Sequence, residues 1–139
     1  MRMLSEEEIQ EKLQNADKFT QSEKIAFIIE AAESGNIDAM HTLGVMYEEG
    51  RWVPYDEIEA TKWYLKAAQQ GHPIAQKDMG YRYLNGEGVE VSYEKSLKWL
   101  KEAKKNGYDD SEDSIEINSL IEGISDLIEK LKNEEKKID

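Results

Sequence analysis

The chain has no cysteine, which excludes disulfides, thiolate nucleophiles and thiolate-held metals. It also lacks long apolar runs. Nothing in its 139 residues approaches the roughly 18 apolar residues of a membrane-crossing helix, and the opening MRMLSEEEIQ has none of the apolar core of a secretory signal. A single cytoplasmic domain is the expectation. Bases are scarce: thirty acids face eighteen of them, for a net charge of −12. Phosphate backbones and anionic lipid surfaces bind through cations, so neither nucleic acid nor a membrane is an expected partner. A protein or peptide of basic or mixed surface is. Histidine occurs only at His41 and His72.

What the sequence does have is a repeat. Gly35, Gly71 and Gly107 recur every 36 residues, and the same offset pairs Ala39 with Ala75, Gly44 with Gly80, Tyr47 with Tyr83, Gly50 with Gly86, Val53 with Val89, Trp63 with Trp99 and Ala67 with Ala103. Self-similarity at such a period marks stacked supersecondary units. Each unit reads as two helices. In AMHTLGVMYEEG, Ala39, Leu43, Gly44 and Tyr47 fall on one helical face, and in DEIEATKWYLKAAQQG so do Ile58, Ala60, Trp63, Tyr64 and Ala67. Asp56 with Glu59 three residues on suits a capping box, Gly71 a left-handed helix end, and Pro73 the first turn of the next helix. Small residues at Gly44, Gly80, Ala67 and Ala103 leave room for close helix approach, with Trp63, Trp99, Tyr47 and Tyr83 expected to fill the volume between helices.

These residues, read together in AMHTLGVMYEEGRWVPYDEIEATKWYLKAAQQG and AQKDMGYRYLNGEGVEVSYEKSLKWLKEAKKNG, resemble the Sel-one-like repeat, a branch of the tetratricopeptide-type helical repeats. The resemblance covers about residues 24–108. It implies an all-α, right-handed α-solenoid of helix-turn-helix repeats with about seven helices. Trp52 stands where the loop's second glycine is expected, and Met79 and Lys104 replace a leucine and an alanine.

The expected organisation is an N-terminal cap with a degenerate half repeat (1–36), two repeats (37–72 and 73–108) and a C-terminal capping helix (109–139). Ser5 and Glu8 form a capping box for a first short helix. Phe27 stands 36 residues before Trp63, at the register of a second helix. Near the other end, Ile117, Leu120, Ile121, Ile124, Leu127, Ile128 and Leu131 make one stripe that suits the open end of a stack. Its heptad-like part is too short to specify a coiled coil. The acid is concentrated at the ends: residues 109–139 alone hold eleven acids against four bases.

No catalytic constellation emerges. His72 lies in a turn, and His41 falls on the outward side of its helix, where a binding contact rather than catalysis is expected. Glu48 and Glu49 are neighbours that diverge by about 100° on a helix. The acidic run Asp109–Glu116 fails as a calcium loop, because its sixth and twelfth places are Ser114 and Leu120 rather than glycine and glutamate. In YLNGEGVEV the glycine pair is flanked by Glu87 and Glu90, which would repel phosphate. Gly86 is expected to end a helix instead. The chain is expected to be no enzyme and to need no cofactor or metal.

By resemblance to tetratricopeptide geometry, the first helix of each unit lines an inner binding face. That assigns Asp38, His41, Val45, Glu48 and Glu49 in the first repeat, and Ile74, Lys77, Tyr81, Leu84 and Asn85 in the second. The expected function is a protein-binding module, in its sharper form an acidic immunity or inhibitor protein that neutralises a toxin. The alternative is a scaffold assembling through its C-terminal helix. The expected state is a monomer or weak homodimer.

Overall fold

The computed structural model describes residues 3–108 and 113–138. Among them, every regular element is helical, and the fold is all-α. The chain divides into two compact units, Met1–Gln70 and Gly71–Asp139.

The first unit holds α1 (Glu6–Gln14), a short 3-10 turn (Ala16–Lys18), α2 (Gln21–Glu33), α3 (Ile37–Glu49) and α4 (Glu57–Gln69). The second holds α5 (Pro73–Asn85), α6 (Tyr93–Lys105) and α7 (Asp113–Ile138). Helices α1 to α6 each start on a side chain that accepts a backbone N–H. Thr20, Asp56 and Ser92 cap α2, α4 and α6 at intervals of 36 residues, so α2 keeps the register of a second helix. Ser5 and Glu8 make the expected capping box, as do Thr20 and Glu23. At α4 only half of it is seen: Asp56 Oδ1 accepts the Glu59 N–H at 3.0 Å, while the Glu59 carboxylate turns to Lys62. His72 Nδ1 accepts the Ala75 N–H at 3.1 Å and Pro73 opens α5. The turn histidine is therefore a helix cap.

In the loops after α3 and α5, the chain reverses by the same hydrogen bonds. Tyr47 O receives the Asp56 N–H, and Tyr83 O the Ser92 N–H. Gly86 ends α5 at φ 72°, a left-handed conformation that costs glycine nothing. Trp52, at the second glycine's place, itself adopts φ 65°, where an L-residue is strained.

Two sequence expectations about the core need correction. Ile58 is 69% exposed. It sits two residues from buried Ala60, about 200° round the helix, so it cannot share that face. The interior is also not filled by the four aromatics named from the repeat. Trp63 is buried, but Trp99, Tyr47 and Tyr83 are only half-buried. The volume against the small residues is taken by Tyr64 and Leu100. A Cβ on Gly44 would stand 2.8 Å from the Tyr64 ring, and one on Gly80 2.6 Å from Leu100. Such close approach requires glycine at both places.

Helix α7 packs on α6 and buries Ile117 and Ile124. Leu120, Ile121, Leu127 and Ile128 are half-buried, and every residue from Glu129 to Ile138 is exposed, Leu131 among them. The stripe therefore covers α6 over its first half only. Residues 109–112 of the acidic run lie outside the described residues.

Candidate functional site

In the first unit, α3 turns Leu43, Gly44 and Met46 inward. The helical period then leaves Asp38, His41, Val45 and Glu48 on a stripe away from that core, with Glu49 beside it. Asp38, Glu48 and Glu49 are exposed, and His41 and Val45 half-buried. Tyr64 of α4 reaches this stripe from beneath. Its ring lies 5.4 Å from that of His41, tilted by 50°, and its hydroxyl donates to Glu48. Glu49 pairs with Arg51 at 2.8 Å. The patch is thus acidic and aromatic, with Val45 as its apolar member.

In the second unit, α5 places Ile74 and Asn85 in solvent and leaves Lys77, Tyr81 and Leu84 half-buried. Two of these are already engaged. Lys77 Nζ donates to the Tyr108 hydroxyl at 2.7 Å and lies 4.7 Å from that ring's centre. The Tyr81 hydroxyl donates to Glu116 Oε1 at 3.2 Å. Burial pulls the Lys77 pKa down, but the hydrogen bond to Tyr108 and the neighbouring Tyr108, Asp78 and Tyr81 outweigh it and hold the ammonium above its ordinary value. Burial, then the charge of Glu116 and its hydrogen bond, push the Tyr81 phenol up. Both groups are pinned in their protonated forms.

Tyr108 and Glu116 were not foreseen. Tyr108 had a signal: it stands 36 residues after His72 and 72 after Asn36, the caps of α5 and α3. Here the side chain accepts from Lys77 instead. Glu116 had none, because it comes from outside the repeat.

The model of the Sel1 repeat matches residues 37–72 and 73–108, just over half of the chain. The chain belongs to the Sel1 repeat family. Sel1 repeats are in general protein-interaction modules. Among solved structures, a Sel1 repeat protein from Oxalobacter formigenes is 37% identical over 60% of this chain and 34% of that one, with a TM-score of 0.59. A protective antigen of uropathogenic Escherichia coli displaying an SLR fold is 40% identical over 60% of this chain and 18% of that one, with a TM-score of 0.57. Helicobacter pylori cysteine rich protein B is 25% identical over 76% of this chain and 77% of that one, with a TM-score of 0.65. This chain thus spans about a third and about a fifth of the first two proteins. Among curated proteins, none matches. The Sel1 repeats here carry no cysteine. Among the described residues, no helix is long and apolar enough to cross a membrane.

Proposed function

We propose that the chain is a non-enzymatic binding module that grips a protein or peptide through the outward faces of α3 and α5. The observation that carries this reading is the α3 stripe. The hairpin core takes one side of α3, and the other presents half-buried Val45 and His41 among exposed Asp38, Glu48 and Glu49, an apolar centre with a charged rim. The net charge of −12 would steer a basic partner onto such a surface. The sharper form of the reading is an acidic inhibitor of a basic protein, such as a toxin that acts on nucleic acid. Its support is that charge alone.

The test is affinity capture with mass spectrometry at low and high salt, using the wild type and Val45→Glu. A partner lost at high salt and lost with Val45→Glu supports the reading. A partner held equally by both proteins removes the α3 stripe as the surface.

A second reading rests on the exposed distal half of α7, where Ile138 is 86% exposed and Leu131 is open to solvent. There the chain would assemble with itself through α7. Light scattering over a concentration series should then show a mass that rises with concentration in the wild type and not in Leu131→Lys.

A further inference from the structure

The first unit contains a recess that the sequence did not announce. It opens between α1, α2 and α3 and measures about 310 Å³. Buried Ile9 forms part of its floor, and half-buried Phe27 and Ile28 of α2 form a wall. Leu13 of α1 completes the wall although it is 52% exposed. A leucine one turn from Ile9 is thus left facing an open apolar hollow. Among the described residues, the charged ones that line the recess are Glu6 and Asp38, both acidic.

The size and the chemistry narrow the occupant. Pockets for whole small molecules run from about 300 to 1,000 Å³ and fix their ligands with converging polar groups. This recess lies at the bottom of that range, and its lining is apolar in the main, with Gln10, Asn36 and Thr42 as uncharged polar members beside the two carboxylates. It has the dimensions of a seat for one or two apolar side chains. A second copy of the chain would bring another −12 of charge toward an acidic rim, which opposes approach.

We infer that this recess seats an apolar side chain of leucine or phenylalanine size, carried by a lysine- or arginine-flanked segment of a partner protein. The inference rests on the binding-module reading and names a second seat for it, which shares only Asp38 with the α3 stripe. The apolar side chain removes Leu13 and Phe27 from water. The flanking cations meet the exposed carboxylates of Glu6 and Asp38, an attraction that weakens as salt rises. Each part supplies what the other lacks: the apolar lining holds the side chain, and the two carboxylates draw the cations that flank it.

A labelled peptide, Lys-Lys-Leu-Phe-Lys-Lys, titrated with the full chain and followed by fluorescence anisotropy, tests this. Leu13→Lys places a cation in the hollow from a solvent-facing site, so the fold is retained, and unfolding curves matching the wild type verify it. This variant should weaken binding about tenfold or more, the size of loss expected when an interface anchor is removed. Glu6→Gln with Asp38→Asn should weaken it several-fold and flatten its salt dependence. Replacing the peptide's Leu-Phe by Ala-Ala should weaken it as much as Leu13→Lys does, and Val45→Glu should leave it unchanged. Equal binding by the wild type and Leu13→Lys, or equal binding of the Ala-Ala peptide, overturns the inference. Loss with Val45→Glu but not with Leu13→Lys overturns it too, while leaving the α3 stripe as the binding surface. Self-association of the wild type that Leu13→Lys abolishes would make the occupant a second copy and overturn the assignment to a partner.

Discussion

At four buried positions, repeat 37–72 carries Met40, Met46, Ala60 and Tyr64 where repeat 73–108 carries Gln76, Arg82, Ser96 and Leu100. The backbones around them close with the same hydrogen bonds, Arg51 N–H to Met46 O in one and Glu87 N–H to Arg82 O in the other. The interiors differ in kind. At these positions the first is apolar and filled by a ring, its one other buried polar side chain among the described residues being Thr61, which donates to Glu57 O. The second is threaded with polar groups, each given a partner: Ser96 donates to Gly80 O at 2.7 Å, Asn106 to Gln76 Oε1 at 3.0 Å, and Arg82 Nη1 to Glu87 O at 3.4 Å. Among the described residues, no buried side-chain nitrogen or oxygen is left without a hydrogen bond. A repeat frame thus fixes where side chains are buried without fixing whether they are apolar, provided each buried polar atom is satisfied.

Exchange at one register position exposes that asymmetry most strongly. Met46→Arg would bury a guanidinium among apolar neighbours, and an uncompensated buried charge costs about 3–5 kcal/mol. Arg82→Met deprives the Glu87 carbonyl of its donor but brings no uncompensated charge into the core, so it should cost less, about 1–3 kcal/mol. Urea midpoints at unchanged slope would measure both. Equal losses would mean that the two interiors tolerate charge alike and would erase the distinction.

The glycines that admit the interior residues give a smaller effect. Gly44→Ala meets two atoms of the Tyr64 ring at 2.8 Å, and the ring's hydroxyl is held by Glu48. Gly80→Ala meets Leu100 Cγ and Cδ2 at 2.6 Å. Each should destabilise by about 1–3 kcal/mol through overpacking. The sharper comparison is rescue. Gly80→Ala combined with Leu100→Val should cost less than the sum of the two single changes, because the trimmed side chain vacates the space the new methyl needs. Strict additivity would show that Leu100 is not what excludes the methyl.

The frame was legible in the sequence because its signals are local. The spacing of Gly35, Gly71 and Gly107, the caps at Ser5 and Asp56, Pro73 at the start of α5 and Gly86 at its end each act within one turn of chain. What the sequence concealed depends on contacts between elements. Nothing local marks Ser96 as buried, because the carbonyl that accepts its hydrogen bond lies sixteen residues earlier at Gly80. Ile58 was apolar at roughly the right place, and only its angle on α4 shows that it faces solvent. The candidate face was legible as a list of α3 and α5 residues. That Lys77 and Tyr81 are held by Tyr108 and Glu116 was not, since the last of these lies beyond the repeat. The recess between α1, α2 and α3 was equally hidden, because it is assembled from three helices of which only α3 begins a full repeat.

The smallest expected effect concerns that held pair on α5, whose register positions in the first repeat are His41 and Val45. Lys77 and Tyr81 both have pKa values raised above their ordinary ones in the folded chain. As pH rises, the unfolded chain releases these protons first, the folded state binds more protons than the unfolded, and stability falls. Their contribution is therefore complete below about pH 10, near the ordinary values of both groups, and is lost as pH climbs through the raised folded values. Thermal unfolding between about pH 9 and pH 11 should show a falling midpoint in the wild type, with a shallower fall in Tyr108→Phe, which lacks the hydroxyl that accepts from Lys77, and in Glu116→Gln, which lacks the charge facing Tyr81. Both groups are partly solvated, so the differences should be modest. An alkaline slope identical in all three proteins would show that these contacts do not couple protonation to folding.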